Sequence, residues 1–157
     1  MSRKRFAAIR ILAAALLAAA MCMTGLSCGM PDTGKDEIRL RIRLDLKEDI
    51  GLFLIDSEVN GQNTSGGSSN ADRSMLKRDE TLYWSIDRRH YENVPDVVSL
   101  TLRFRIVTEY FDPNYENIYP EEYVMPMEEI AFTAVFGGTY DFIVTGDRVN
   151  GYRAVLK

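Results

Sequence analysis

The sequence predicts an all-β domain, a single antiparallel β-sandwich of immunoglobulin or transthyretin order with about seven strands. Three observations carry the prediction. Long stretches alternate apolar and polar residues with a period of two, which gives a strand one buried face and one wet face. Past the N-terminal segment, no long stretch holds the three-and-four spacing of apolar residues that a surface helix needs. Turn dipeptides, Gly137-Gly138 and Asn150-Gly151, stand between alternating runs.

The elements follow in order. In EIRLRIRLDL, residues 37–46, Ile38, Leu40, Ile42, Leu44 and Leu46 fall on one side; Arg39, Arg41, Arg43 and Asp45 fall on the other. A helix would scatter those arginines around its circumference. The arginine row reads as a solvated outer face, with an anion site as the alternative. IGLFLI, residues 50–55, is apolar throughout, as a strand covered on both faces or at a sheet centre is. In residues 56–80 the tract NGQNTSGGSSN (Asn60 to Asn70) has nothing to bury and reads as a flexible loop. ADRSMLKRDE after it has the length for one or two helical turns. TLYWSI, residues 81–86, is a strand with the single tryptophan, Trp84, in its middle, and DRRHYE is an exposed turn.

DVVSLTLRFRIVTEY repeats the alternation, with Val98, Leu100, Leu102, Phe104 and Ile106 inward and Ser99, Thr101, Arg103 and Arg105 outward. EIAFTAVF (Ile130, Phe132, Ala134, Phe136) and TYDFIVT (Tyr140, Phe142, Val144) alternate again, and Gly137-Gly138 between them predicts a two-residue hairpin. Asn150-Gly151 turns the chain into a final strand, YRAVLK. Between these strands the loop 109–129 carries Tyr110, Phe111, Tyr115, Tyr119 and Tyr123, stiffened by Pro113, Pro120 and Pro126. Rings on a stiff polar loop offer contact area at low rotamer cost, which suits a sugar or a protein surface. The alternative folds them back over the open end of the sandwich.

Ahead of the strands, MSRKRFAAIR holds Arg3, Lys4, Arg5 and Arg10 and no acid, and residues 11–23 are uncharged and rich in Ala and Leu. At 1.5 Å per residue such a run covers about 20 Å, short of the ~30 Å hydrocarbon core. A basic start followed by a short apolar run is the secretory signal pattern, not a spanning helix. Gly25, Leu26, Ser27 and Cys28 then resemble the lipobox of bacterial lipoproteins, with the leucine two places before the cysteine where three is usual. The resemblance implies cleavage before Cys28 and its lipidation; plain cleavage after Ala20, with Ala18 and Ala20 as the small pair, is the competing reading. The expected organisation is a signal peptide over 1–27, the lipidated Cys28 with a flexible spacer over 28–36, and the β-sandwich over 37–157. Cys22 leaves with the signal, so the exported domain holds no disulfide. Buried acyl chains, at about 0.8 kcal/mol per CH₂, hold such a domain at a bilayer.

The chain has 19 basic and 23 acidic residues. The signal takes four of the basic ones, leaving a net charge of about −8, which argues against nucleic acid and against charge-driven binding to an anionic lipid surface. Little chemistry is visible. Asp112, Asn114 and Glu116 start like a calcium loop, but Asn117 stands where the EF-hand needs Gly and Tyr123 where it needs the bidentate Glu. His90 is the only histidine, so a His-rich zinc site or a Ser-His-Asp triad is hard to assemble. The acid pairs Glu121-Glu122 and Glu128-Glu129 read as solvated loop carboxylates, not as a glycosidase pair. No catalytic residue, metal site or cofactor is expected.

The order of EIRLRIRLDL, DIGLFL, a long polar loop and LYWS resembles the fimbrillin-type proteins of Bacteroidetes over residues 38–86, carried by Ile50, Gly51, Leu52, Phe53 and Trp84. That resemblance implies an exported lipoprotein with a transthyretin-like sandwich that builds or anchors surface fimbriae. The expectation is a lipid-anchored, non-enzymatic protein of the cell envelope, at the outer membrane, that contacts another protein. The second reading is a carbohydrate-binding module using the Tyr110 to Tyr123 loop.

Overall fold

The computed structural model describes residues 34–110 and 119–157. Nine strands follow in chain order among them: β1 (Glu37–Leu46), β2 (Leu52–Val59), β3 (Gln62–Ser68), β4 (Thr81–Asp87), β5 (Val97–Val107), β6 (Val124–Pro126), β7 (Ile130–Val135), β8 (Thr139–Asp147) and β9 (Gly151–Leu156). They form two sheets packed face to face. Sheet 1 has the order β4-β1-β8-β9; sheet 2 has the order β3-β2-β5, with β6 and β7 lying one after the other along the far side of β5. The β6 and β7 registers on β5 differ by one residue, so the segment between them bulges, and the Met127 amide donates to the Phe104 carbonyl at 2.9 Å. All pairs are antiparallel except β1 with β8. That parallel pair departs from the antiparallel expectation because the chain between the two strands passes through sheet 2 before returning.

The alternation in the sequence is the burial pattern of the strands. Ile38, Leu40, Ile42 and Leu44 on β1 are at most 1% exposed, and Val98, Leu100, Leu102, Phe104 and Ile106 on β5 at most 2%. Phe104 joins the sheets at the centre of the core. Its ring centroid lies 5.4 Å from Phe53 of its own sheet and 5.4 Å from Phe142 of the other, the latter edge-on. β2 is buried on both faces, as its unbroken apolar run predicts. Phe53 and Ile55 face the core; Leu52 and Leu54 face outward beneath Tyr119, Tyr123 and Val124.

Three readings of the chain are corrected. The Asn60 to Asn70 tract is not a flexible loop. Asn60 and Gly61, with φ of 48° and 84°, make a tight hairpin turn, and β3 pairs with β2 from Val59 opposite Gln62 to Phe53 opposite Ser68. The small residues make room for Trp84: a Cβ on Gly66 would lie 2.3 Å from that indole. The polar inward positions are satisfied as well. Thr64 Oγ1 lies 2.8 Å from Ser57 Oγ and 2.7 Å from the Tyr91 hydroxyl. ADRSMLKRDE beyond it forms no helix; Leu76 is buried and exchanges backbone bonds of 3.1 and 2.8 Å with Ile50.

Gly137-Gly138 does not close a hairpin either. β7 belongs to sheet 2 and β8 to sheet 1, so the glycines carry the chain across the sandwich. Their backbone bonds go to β1 instead: Gly137 N–H donates to the Glu37 carbonyl and Arg39 N–H to the Gly138 carbonyl. Asn150-Gly151 does close the β8–β9 hairpin, where Asp147 Oδ1 accepts from the amides of Val149 at 3.0 Å and Asn150 at 2.7 Å.

Candidate functional site

Of the residues expected to carry function, Cys28, Phe111 and Tyr115 lie outside the described residues, as do Asp112, Asn114, Glu116 and the whole signal segment. Tyr110, Tyr119 and Tyr123 are half-buried. Tyr119 and Tyr123 pack on Leu52, Leu54 and Val107, along the outer face of sheet 2 and not over an open end of the sandwich. Burial pushes the Tyr119 hydroxyl above its ordinary range, with the Arg105 charge opposing. His90 is exposed in a short 3-10 turn, and Glu129 pairs with Arg103 at 2.7 Å. Among the described residues no group of three or more His, Cys, Asp and Glu side chains is placed to hold a metal, and no helix is long and apolar enough to cross a membrane.

The outward rows of the two sheets differ. On sheet 2 the arginines are matched by carboxylates on neighbouring strands: Arg103 meets Glu58 at 3.1 Å, and Arg105 meets Asp56 at 3.0 Å. On sheet 1 Arg41 lies opposite Tyr83 of β4 on one side and Asp141 of β8 on the other. It donates to both Asp141 oxygens, at 2.6 and 2.8 Å, which lowers the Asp141 pKa and raises that of Arg41. Arg43, one register step along between Thr81 and Ile143, and Lys157, just past β9, make no ion pair among the described residues. These side chains line a shallow cavity of about 360 Å³. Tyr83 stands at its rim, 74% exposed, the one aromatic among the exposed large apolar side chains of the described residues. The alternation around Leu82 and Trp84 already turned Tyr83 outward, but nothing in the sequence alone puts it beside the arginines; that follows from β4 pairing with β1.

A second surface lies along one side of the sandwich. β9 ends sheet 1, β6 and β7 end sheet 2, and β6 lies close to β9. Each of these strands pairs through the backbone with one neighbouring strand only among the described residues, and at the end of β7 the Val135 amide also donates to the Tyr140 hydroxyl of β8 at 2.8 Å. Val135 on β7 and Val155 on β9 are exposed, and Val97, opposite Val135, is exposed too.

The β8–β9 turn is held by a carboxylate network with a structural role. Glu48 accepts from the Tyr152 hydroxyl at 2.5 Å and from the Arg148 amide at 2.6 Å; Arg148 also reaches Glu109 at 3.3 Å. Burial works to raise the Glu48 pKa, but these hydrogen bonds and the Arg148 charge outweigh it and hold the carboxyl low. Burial, with the bond to Glu48, drives the Tyr152 hydroxyl far above its ordinary range. Glu48 therefore stays ionised and Tyr152 stays neutral, which suits a fixed turn and not proton transfer near neutral pH.

No protein-family model matches the chain, and no curated protein matches it. Among solved structures, a non-hemolytic pneumolysin from Streptococcus pneumoniae is similar at 12% identity and a TM-score of 0.38, over 77% of this chain and 23% of that one. Listeriolysin O is similar at 7% identity and a TM-score of 0.38, over 77% and 22%. The cytotoxin suilysin from Streptococcus suis is similar at 9% identity and a TM-score of 0.35, over 78% and 23%. The chain thus spans about a quarter of the length of the solved structures it matches. At these scores the likeness carries no conclusion about what the chain does.

Proposed function

We propose that the protein is a lipid-anchored, non-enzymatic module of the bacterial cell envelope that works by contacting another protein, as an interaction or surface-assembly component. The observation that supports this most is the side of the sandwich where β9 and the β6–β7 segment end the two sheets together. An open edge offers unpaired N–H and C=O groups to an incoming strand, and proteins that stay monomeric blunt such edges with charges or proline. β7 reads IAFTAV and carries neither, and Val135 and Val155 add exposed apolar surface beside the two edges. Attachment through Cys28 and the short segment after it keeps the module at the membrane, where a second, weak contact gains from high effective concentration.

A crosslinked pull-down from mildly solubilised envelopes, with Cys28→Ser alongside, tests the reading. Specific protein partners recovered with the native chain and lost with the variant support an anchored assembly component. A native chain that comes down alone removes the interaction reading. A native chain that partitions to the soluble fraction as Cys28→Ser does removes the anchor.

A further inference from the structure

The charge on the outer face of sheet 1 runs against that of the chain, which carries a formal net charge of −4. Arg41, Arg43 and Lys157 line the cavity there, and Asp141 is the one carboxylate among them. Asp141 is committed to Arg41 through both oxygens. The Arg43 guanidinium and the Lys157 ammonium make no ion pair with a described side chain. On sheet 2 the corresponding arginines, Arg103 and Arg105, are each matched. The difference is local, and so is Tyr83, the one aromatic among the exposed large apolar side chains of the described residues, which lines the same cavity.

We propose that this cavity binds a carboxylate-bearing sugar, with its ring on Tyr83 and its carboxylate held by Arg43, Lys157 supplying charge from the opposite rim. A guanidinium presents a planar fork that matches a carboxylate, and Arg43 is the arginine here with its fork unoccupied by a described residue. An aromatic ring gives the apolar face of a sugar a flat, low-entropy platform. The about 360 Å³ of space falls within the ~300–1,000 Å³ usual for small-molecule sites. A protein partner needs about 800 Å² of contact on each side around an apolar centre. Here the surrounding outward positions include Thr81, Ser85 and Thr139, whose hydroxyls suit a hydroxylated ligand, and the apolar side chains beside them on this face are Ile143, opposite Arg43, and its neighbour Val155. Because β1 and β8 are central strands, the site is held in shape before binding, which lowers the entropic cost. The site opens on the outer face of sheet 1 and reaches the end of β9 at Lys157, but it does not depend on the protein contact proposed at the β7–β9 edge.

The test is titration of the full chain in detergent with four probes: a digalacturonate, a sialylated trisaccharide, a neutral disaccharide and a polyglutamate peptide. The expected result is binding of at least one acidic saccharide and not of the neutral one. That binding weakens about tenfold or more in Arg43→Gln and in Tyr83→Ala, as loss of a charged hydrogen bond does, and is unchanged in Arg153→Gln outside the cavity. Tyr83→Leu serves if Tyr83→Ala does not fold. Failure of both acidic saccharides at millimolar concentration overturns the proposal, as does binding that survives Arg43→Gln. Polyglutamate bound as tightly, with the same loss in the variants, would assign the face to an acidic protein instead and also overturn it. None of these outcomes changes recovery of partners in the envelope pull-down, so the two readings fail separately.

Discussion

Phe104 sits between Phe53 and Phe142, with no measurable exposure, and ties one sheet to the other. Phe104→Ala is expected to cost about 3–5 kcal/mol, read as a drop in the urea midpoint at unchanged slope. A shift near zero would take Phe104 out of the core. Among the lowered carboxyls, two aspartates are held lowest and lead the acid response. The Arg89 side chain and amide hold the Asp87 carboxyl at about 2, and Lys47 and then Asn150 hold Asp147 well below the usual range. Both are lowered in the folded state from ~3.9, so their contribution is complete above about pH 5 and is lost as pH falls toward about 2. Stability followed by urea unfolding should be level from neutral pH to about 5, then fall, and Asp147→Asn should fall less steeply. An acid slope unaltered in that variant would contradict the assignment. At this scale the core was legible, because a period of two fixes which side chains share a face. Tyr83 was not legible as a site residue, because its neighbours Arg41 and Arg43 come from a strand about forty positions earlier.

Among the elements, the hairpin of β2 and β3 was the one composition hid. Asn60-Gly61 is a strong hairpin signal, but the Gly and Ser after it read as a tract with nothing to bury. The apolar group that β3 covers is on another strand: Trp84 of β4 lies against Gly66, and no local window of sequence contains both. Gly66→Ala should therefore destabilise the protein by about 1–3 kcal/mol through overpacking, and by much less in a Trp84→Leu background. Equal losses in the two backgrounds would show that the indole does not press on that position. Amides of residues 62–68 that bond to β2 should exchange slowly, where a flexible loop would exchange at once. Gly137-Gly138 misled for the opposite reason. A glycine pair satisfies a hairpin, but its φ freedom serves a crossing between sheets equally well, with Gly137 at φ +90°. Which of the two forms depends on where β8 finds a partner, and that partner is β1, a hundred residues earlier.

At the scale of the whole molecule, two surfaces face in different chemical directions: a polar, positively charged cavity on sheet 1 and an apolar edge where β7 and β9 end the sheets. The fold class was legible because alternation and turn chemistry agree along most of the chain. The surfaces were not, since each is assembled from three or more strands whose order no periodicity reveals. The proposed leader and the proposed lipidation of Cys28, by contrast, rest on the sequence alone. The central claim is that the edge side of the sandwich meets another envelope protein, and site-specific photocrosslinking in intact cells addresses it most directly. A crosslinking residue at Val135 or Val155 should capture the same protein, and one at Ser65, exposed on the opposite edge strand β3, should not. Capture from Ser65 alone, or from no position, would contradict the account.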